Sequence, residues 1–90
     1  MVGRAQRRAE RETAVIRVFG DERGPIALDL LEVLEFAWHD CFGDVTPPPQ
    51  VIDDILVCSE GRLELMIRAV RLAVADWRDL RVWAEDLRRR

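Results

Sequence analysis

The stretch IALDLLEVLEFAWHDCF, residues 26–42, decides the fold. At 100° per residue, Asp29, Glu32, Glu35, His39 and Asp40 fall within an arc of about 140°. Leu30, Leu31, Val33, Leu34, Phe36, Ala37, Trp38, Cys41 and Phe42 fill the remainder. An apolar arc that wide exceeds what one neighbouring helix can cover. The run therefore predicts the central helix of an all-α domain, with only its acidic stripe in water. Pro25 suits the first turn, where a missing N–H costs nothing, and Gly43 a C-terminal stop.

The acidic stripe belongs to a longer block. Residues 24–61 hold Asp29, Glu32, Glu35, Asp40, Asp44, Asp53, Asp54 and Glu60, with no Lys or Arg. Counting acids against arginines gives +2 for residues 1–23, −8 for 24–61 and +3 for 62–90, which together make the net −3. Charge sorted along a chain in this way governs which surfaces can meet each other or a partner.

On the N-terminal side, Arg4, Arg7, Arg8 and Arg11 recur at helical spacing and form a basic face. Residues 1–12 read as a basic arm that frays at the terminus, and residues 13–90 as a single helical domain. Residues 14–19 carry a β-branched Val-Ile-Arg-Val core, so a short strand there is the alternative to a helix end. Gly20, with residues 21–25, predicts a turn. On the C-terminal side, Thr46-Pro47-Pro48-Pro49 is a rigid connector, because each residue before a proline is pushed out of the α region. Pro49 opens the next helix, whose stripe is Val51, Ile52, Ile55 and Leu56, with Asp53 and Asp54 near its favourable N-terminal end. Ser59 is the expected cap of a last helix, with Gly61 at the preceding bend or in its first turn, and nothing after Arg62 breaks helicity until Arg88. The expected architecture is thus a small four-helix domain with a long C-terminal helix.

That last helix, at about 27 residues, spans roughly 40 Å. A globule of 90 residues is only about 31–35 Å across. Either the helix bends near residues 76–79, or a second subunit covers its end. The second option predicts a homodimer through Trp77, Leu80, Trp83 and Leu87, with Trp favoured at interfaces.

Composition bounds the function. The chain has 49% hydrophobic and 34% charged residues with five Gly and four Pro, the profile of one folded helical domain. Lys, Asn and Tyr are absent; their codons begin with AA or TA, so the all-Arg cation set reads as codon supply more readily than as phosphate recognition. The charged N-terminus lacks the apolar core of a signal peptide, and charges interrupt every apolar run before the roughly 20 residues a membrane span needs. A cytoplasmic protein with Cys41 and Cys58 as free thiols is expected.

No catalytic constellation emerges. His39 and Cys41 point apart on their helix and cannot form a nucleophile–base pair. Glu35 and His39, four apart, could give two metal ligands, but the further His or Cys of a zinc site is missing, and Glu35 is the natural ion-pair partner of His39. No metal or cofactor is expected. Residues 49–70 have the outline of a helix-turn-helix, yet the second helix opens Leu63-Glu64-Leu65-Met66, which cannot bond base edges. A sequence pI near 5.1 also has the wrong sign for nucleic acid.

The expected function is a non-enzymatic protein-interaction or regulatory module. Asp29, Glu32, Glu35, Asp40, Asp53 and Asp54 would face a basic protein partner. In size, acidity and helicity the chain resembles small immunity proteins and antitoxins, which block a basic enzyme with an acidic helical face. That resemblance implies an inhibitor as one alternative. A nucleic-acid-associated regulator using the Arg4, Arg7, Arg8 and Arg11 arm is another. A third possibility keeps the acids at home, neutralised within the fold or across the dimer by Arg62, Arg68, Arg71 or Arg78.

Overall fold

The computed structural model describes residues 3–90. It is all-α, with three helices and no strand among the described residues: α1 (Arg4–Phe42), α2 (Pro49–Ser59) and α3 (Leu63–Arg89). The expected fourth helix does not appear as a separate element. The first two expected helices run together in α1, because helix resumes directly after Gly20 with no loop between. Residues 14–19 are likewise helical, not a strand. Val15 and Phe19, four apart, are both buried, and burying one helical face overrides the weak strand preference of Val and Ile.

α1 is not a straight rod. Thirty-nine residues would extend about 58 Å, whereas the longest dimension of the molecule is 37 Å. Arg7 Nε also lies 2.6 Å from Glu35 Oε2, 28 residues later. The reversal is at Gly20, with φ 84° and ψ 174°, a region essentially restricted to glycine. Residues 4–19 thus form a first limb folded back over a second, residues 21–42.

α3 reverses too. Arg88 would stand about 39 Å from Arg62 on a straight helix, yet its Nη1 donates to Asp54 Oδ1 of α2 at 2.9 Å. The break is Asp76, with extended backbone angles, φ −161° and ψ 94°. Its Oδ1 accepts from the backbone N–H of Arg78 at 3.0 Å and of Asp79 at 3.4 Å. This is an N-cap starting a new helical segment. The bend removes the overhang from which a dimer through the C-terminal helix was expected. Leu80 is fully buried within the chain, Trp83 and Leu87 pack partly buried against its core, and only Trp77 is exposed.

α2 packs chiefly on α3, and the core joins Ile55 and Cys58 of α2, Met66, Ala69, Ala73, Leu80 and Ala84 of α3, and Leu31 and Leu34 of α1. Ser59 does not cap α3. Its Oγ donates to Leu56 O at 2.7 Å and accepts from Gly61 N–H at 3.3 Å, closing the end of α2. Gly61, at φ +73°, makes the bend, and a Cβ there would come within 3.0 Å of Val18 O. The connector between α2 and α3 thereby packs against the end of the first limb.

The second limb of α1 is central, but rotated from expectation. Ile26, Val33 and Phe36 are 51%, 59% and 52% exposed, while Glu35 is only 3% exposed. The stripe expected to be wet is partly covered because the first limb lies on it.

Both reversals are testable. Gly20→Ala should destabilise the fold by about 1–3 kcal/mol through backbone strain alone, since its Cβ would meet nothing within 4 Å. Asp76→Ala should cost about 1 kcal/mol, and Asp76→Asn only a few tenths, because Asn caps equally well. Urea denaturation of the three variants measures this. A Gly20→Ala protein as stable as wild type would show that the reversal does not depend on that dihedral.

Candidate functional site

Before Val15 the first limb is held to the second by charge. No residue of α1 before Val15 is buried. Instead Arg7 binds Glu35 with two bonds, Nε to Oε2 at 2.6 Å and Nη2 to Oε1 at 3.3 Å. Arg11 Nη1 donates to the same Oε2 at 3.2 Å. Thr46 Oγ1 donates to Oε2 at 2.8 Å and accepts from Arg11 Nη2 at 2.8 Å. One turn away, Arg8 Nη1 donates to Asp29 Oδ1 and Glu32 Oε1, each at 2.8 Å. The stiffness of Thr46-Pro47-Pro48-Pro49 explains how a loop hydroxyl can serve as a fixed member of this cluster.

Burial pushes the Glu35 carboxyl up, but the bonds from Arg7 and Thr46 and the charge of Arg11 outweigh it, so its pKa lies below the ordinary carboxylate value. The carboxylate is stable in its charged form because nearly every lone pair has a donor. A second clasp repeats the arrangement at the other end of the chain. Asp54, 1% exposed, accepts from Gln50 Nε2 at 3.0 Å and Arg88 Nη1 at 2.9 Å, with Arg81 Nε 3.7 Å away. Arg81 Nε is buried without a hydrogen-bond partner among the described residues.

The acidic block is therefore met by its own flanks. The arginines that reach it are Arg7, Arg8, Arg11, Arg81 and Arg88. Within the chain, those expected in that role do not: Arg62 pairs with nearby Glu64, Arg78 lies 3.8 Å from Asp76, and Arg68 and Arg71 are exposed. Of the six acids expected to face a partner, Glu35 and Asp54 are inside the fold. Asp29, Asp40 and Asp53 are exposed, and Glu32 is half-buried. Glu35 is also not paired with His39, its oxygens being taken by the first limb and Thr46. Of the basic arm, three arginines are engaged internally and Arg4 stacks over the Phe36 ring, 4.3 Å from its centre.

Beside the Glu35 clasp, the first limb and α2 are splayed over a groove of about 300 Å³. Arg7, Glu10, Arg11 and Ala14 line one wall. Pro47, Ile52 and Leu56 supply an apolar floor, with Pro49 and Asp53 at the other side. Sequence reasoning missed Thr46, Arg81, Arg88 and this groove. The sorted charge pointed to the arginines, but nothing in the sequence said which would reach which acid.

Cys41 is exposed and Cys58 is buried, and burial first, then the Asp54 carboxylate, push the Cys58 thiol up to about 12. Among the described residues no three His, Cys, Asp or Glu side chains are placed to hold a metal ion. Nor, among the described residues, is any helix long and apolar enough to cross a membrane. Compared with protein families, with curated proteins and with solved structures, the chain matches none.

Glu35→Gln should cost about 2–3 kcal/mol near neutral pH, between the values for exposed and fully buried pairs, since Arg7 and Arg11 lose their shared anion. Because the folded-state pKa of Glu35 lies below its unfolded value, its contribution is whole above about pH 4.3 and is lost as pH falls through the lower folded value. Wild type should therefore lose stability on acidification through that window, and Glu35→Gln should lose less of it. Urea melts of both proteins at neutral and acid pH test this; parallel pH profiles would rule Glu35 out as the source.

Proposed function

We propose that this protein is a non-enzymatic interaction module, and that a segment of a partner protein docks in the groove between the first limb of α1 and α2. The observation that carries this reading is the groove itself, in which half-buried Leu56 and the edges of buried Pro47 and Ile52 lie beneath a charged rim of Arg7, Glu10, Arg11 and Asp53. A concave site that joins apolar side chains to a few charged groups is the default place to look for a bound ligand or partner segment. The non-enzymatic half draws support from the state of a buried acid. The Glu35 carboxylate is taken up by Arg7 and Arg11 and held below the ordinary carboxylate range, which does not suit it to proton transfer near neutral pH. Immobilised protein should capture a partner from its native host that Leu56→Glu, folded by circular dichroism, does not capture. An identical partner set for both proteins would overturn the groove as the docking site.

The proposal includes a homodimer, now through a different face. Ile26, Leu30, Val33 and Ala37 line the outer side of the second limb, and Ile26 and Val33 are more than half exposed. Their 4–3–4 spacing reads the same in both directions, so a two-fold antiparallel pairing brings like onto like. Light scattering at micromolar concentration should give about twice the 10.4 kDa chain mass, and Val33→Glu should return the monomer. A wild-type mass near that of one chain would remove this face from the proposal.

A further inference from the structure

We infer that two copies of the chain pair antiparallel along the second limb of α1, in the one register that sets Arg23 of each copy against Asp40 of the other. The inference rests on the dimer reading above and adds the register and the charges that select it.

The outer face of the second limb extends beyond its apolar part. Arg23, Ile26, Leu30, Val33, Ala37 and Asp40 follow one another at alternating steps of three and four residues. At 100° per residue they share an arc of about 100°. This is the a/d seam of a helix that pairs with another helix. None of the six is buried: Arg23, Ile26, Val33 and Asp40 are exposed, and Leu30 and Ala37 are half-buried. Four apolar positions therefore run between a cation at one end and an anion at the other.

Neither end charge is used within the chain. Arg23 and Asp40 have no ion-pair partner among the described residues. Arg23 stands at a cleft of about 400 Å³ with Arg62, Leu63 and Glu64. Arg62 is bonded to Glu64 there, which leaves Arg23 as the cation without a partner. Arg7, Arg8, Arg11 and Arg88, by contrast, all reach acids of the central block.

Symmetry turns the two end charges into a selector. Arg23 and Asp40, Ile26 and Ala37, and Leu30 and Val33 are each equidistant from the point midway between Leu31 and Glu32. An antiparallel two-fold about that point stacks Leu30 on Val33 and Ile26 on Ala37, a larger side chain on a smaller one each time. It closes both ends of the four apolar layers with an Arg23–Asp40 pair. Glu22, 100° around the helix from Arg23, falls off the seam. A parallel pairing opposes Arg23 to Arg23 and Asp40 to Asp40, and sets the two small Ala37 side chains together over a gap. An antiparallel slip of one heptad sets Arg23 against Val33, or Asp40 against Leu30. Charge here acts against the wrong arrangements more than it adds affinity to the right one.

Cys41, exposed near the end of the same limb, reads the orientation without any substitution, since Cys58 is buried and stays unlabelled. With nitroxides on Cys41, the antiparallel pairing puts the two labels about 30 Å apart, from a rise of about 1.5 Å per residue and a helix separation of about 8–10 Å. A parallel pairing puts them about 10 Å apart. Double electron–electron resonance should return the longer distance.

Sedimentation equilibrium at about 50 and about 500 mM salt reads the charges. Arg23→Asp and Asp40→Arg should each raise the dimer Kd about tenfold at the lower salt, because either reversal turns two attractions into two repulsions. The chain carrying both changes should return to within about threefold of wild type, and high salt should narrow the differences. Each single reversal improves the charge at its own end of the limb, so a weaker dimer does not come from a weaker helix. A label distance near 10 Å, or single reversals that leave Kd unchanged, would overturn the inference while the dimer stands. A wild type that is monomeric at micromolar concentration, or a dimer that survives Val33→Glu, would sink the inference and the dimer reading together.

Discussion

The Glu35 carboxylate is the constraint on which the rest of the structure turns. It is almost wholly buried and survives as an anion only because Arg7, Arg11 and Thr46 surround it. Those three groups come from the first limb of α1 and from the connector to α2. Satisfying one charge therefore fixes the position of two otherwise separate segments. An unpaired carboxylate at this depth would be costly, so alternative placements of the first limb are penalised along its charged stretch, where no residue before Val15 is buried. The Gly20 reversal makes the arrangement sterically possible, and the carboxylate makes it specific.

Asp54 plays the same part at the other end of the chain. Arg88 reaches it only because α3 breaks at Asp76, as the first limb reaches Glu35 only because α1 breaks at Gly20. Two helices too long for a domain of this size are each folded back, and each fold-back delivers arginine to a buried acid. Stability is not a sufficient account of such pairs, which often do no better than well-packed apolar residues. Their effect here is on register, since each clasp allows one alignment of the limbs it joins.

Much of the fold was legible in the sequence. The helical class follows from the apolar period of residues 26–42, the connector from its prolines, and the stop at Gly43 from glycine chemistry. The three-part charge distribution announced that flanks and centre would meet. What could not be read was orientation. On periodicity alone, Glu35 belongs with Asp29, Glu32 and Asp40, and nothing local distinguishes the acid that is buried from those that stay wet. The difference arises from which residues the first limb places opposite, 24 to 28 positions away. Asp76 is a different case, because its cap was readable. Asp is a favoured N-cap residue, but the strong helical pattern on both sides masks it here.

The groove owes its character to the weakest of these joints. Its α1 wall carries no buried residue before Val15 and is held by ion pairs, whereas its α2 wall is rooted in the core through Ile55 and Cys58. A wall held by a few ion pairs opens at lower free energy than one rooted in the packed core. An occupant touching both walls must then favour the clasped arrangement, and by reciprocity anything that strengthens the clasp must favour the occupant. The buried carboxylate and the open groove are in this sense one device, since the anion that orders the first limb also shapes the surface on which a partner would rest.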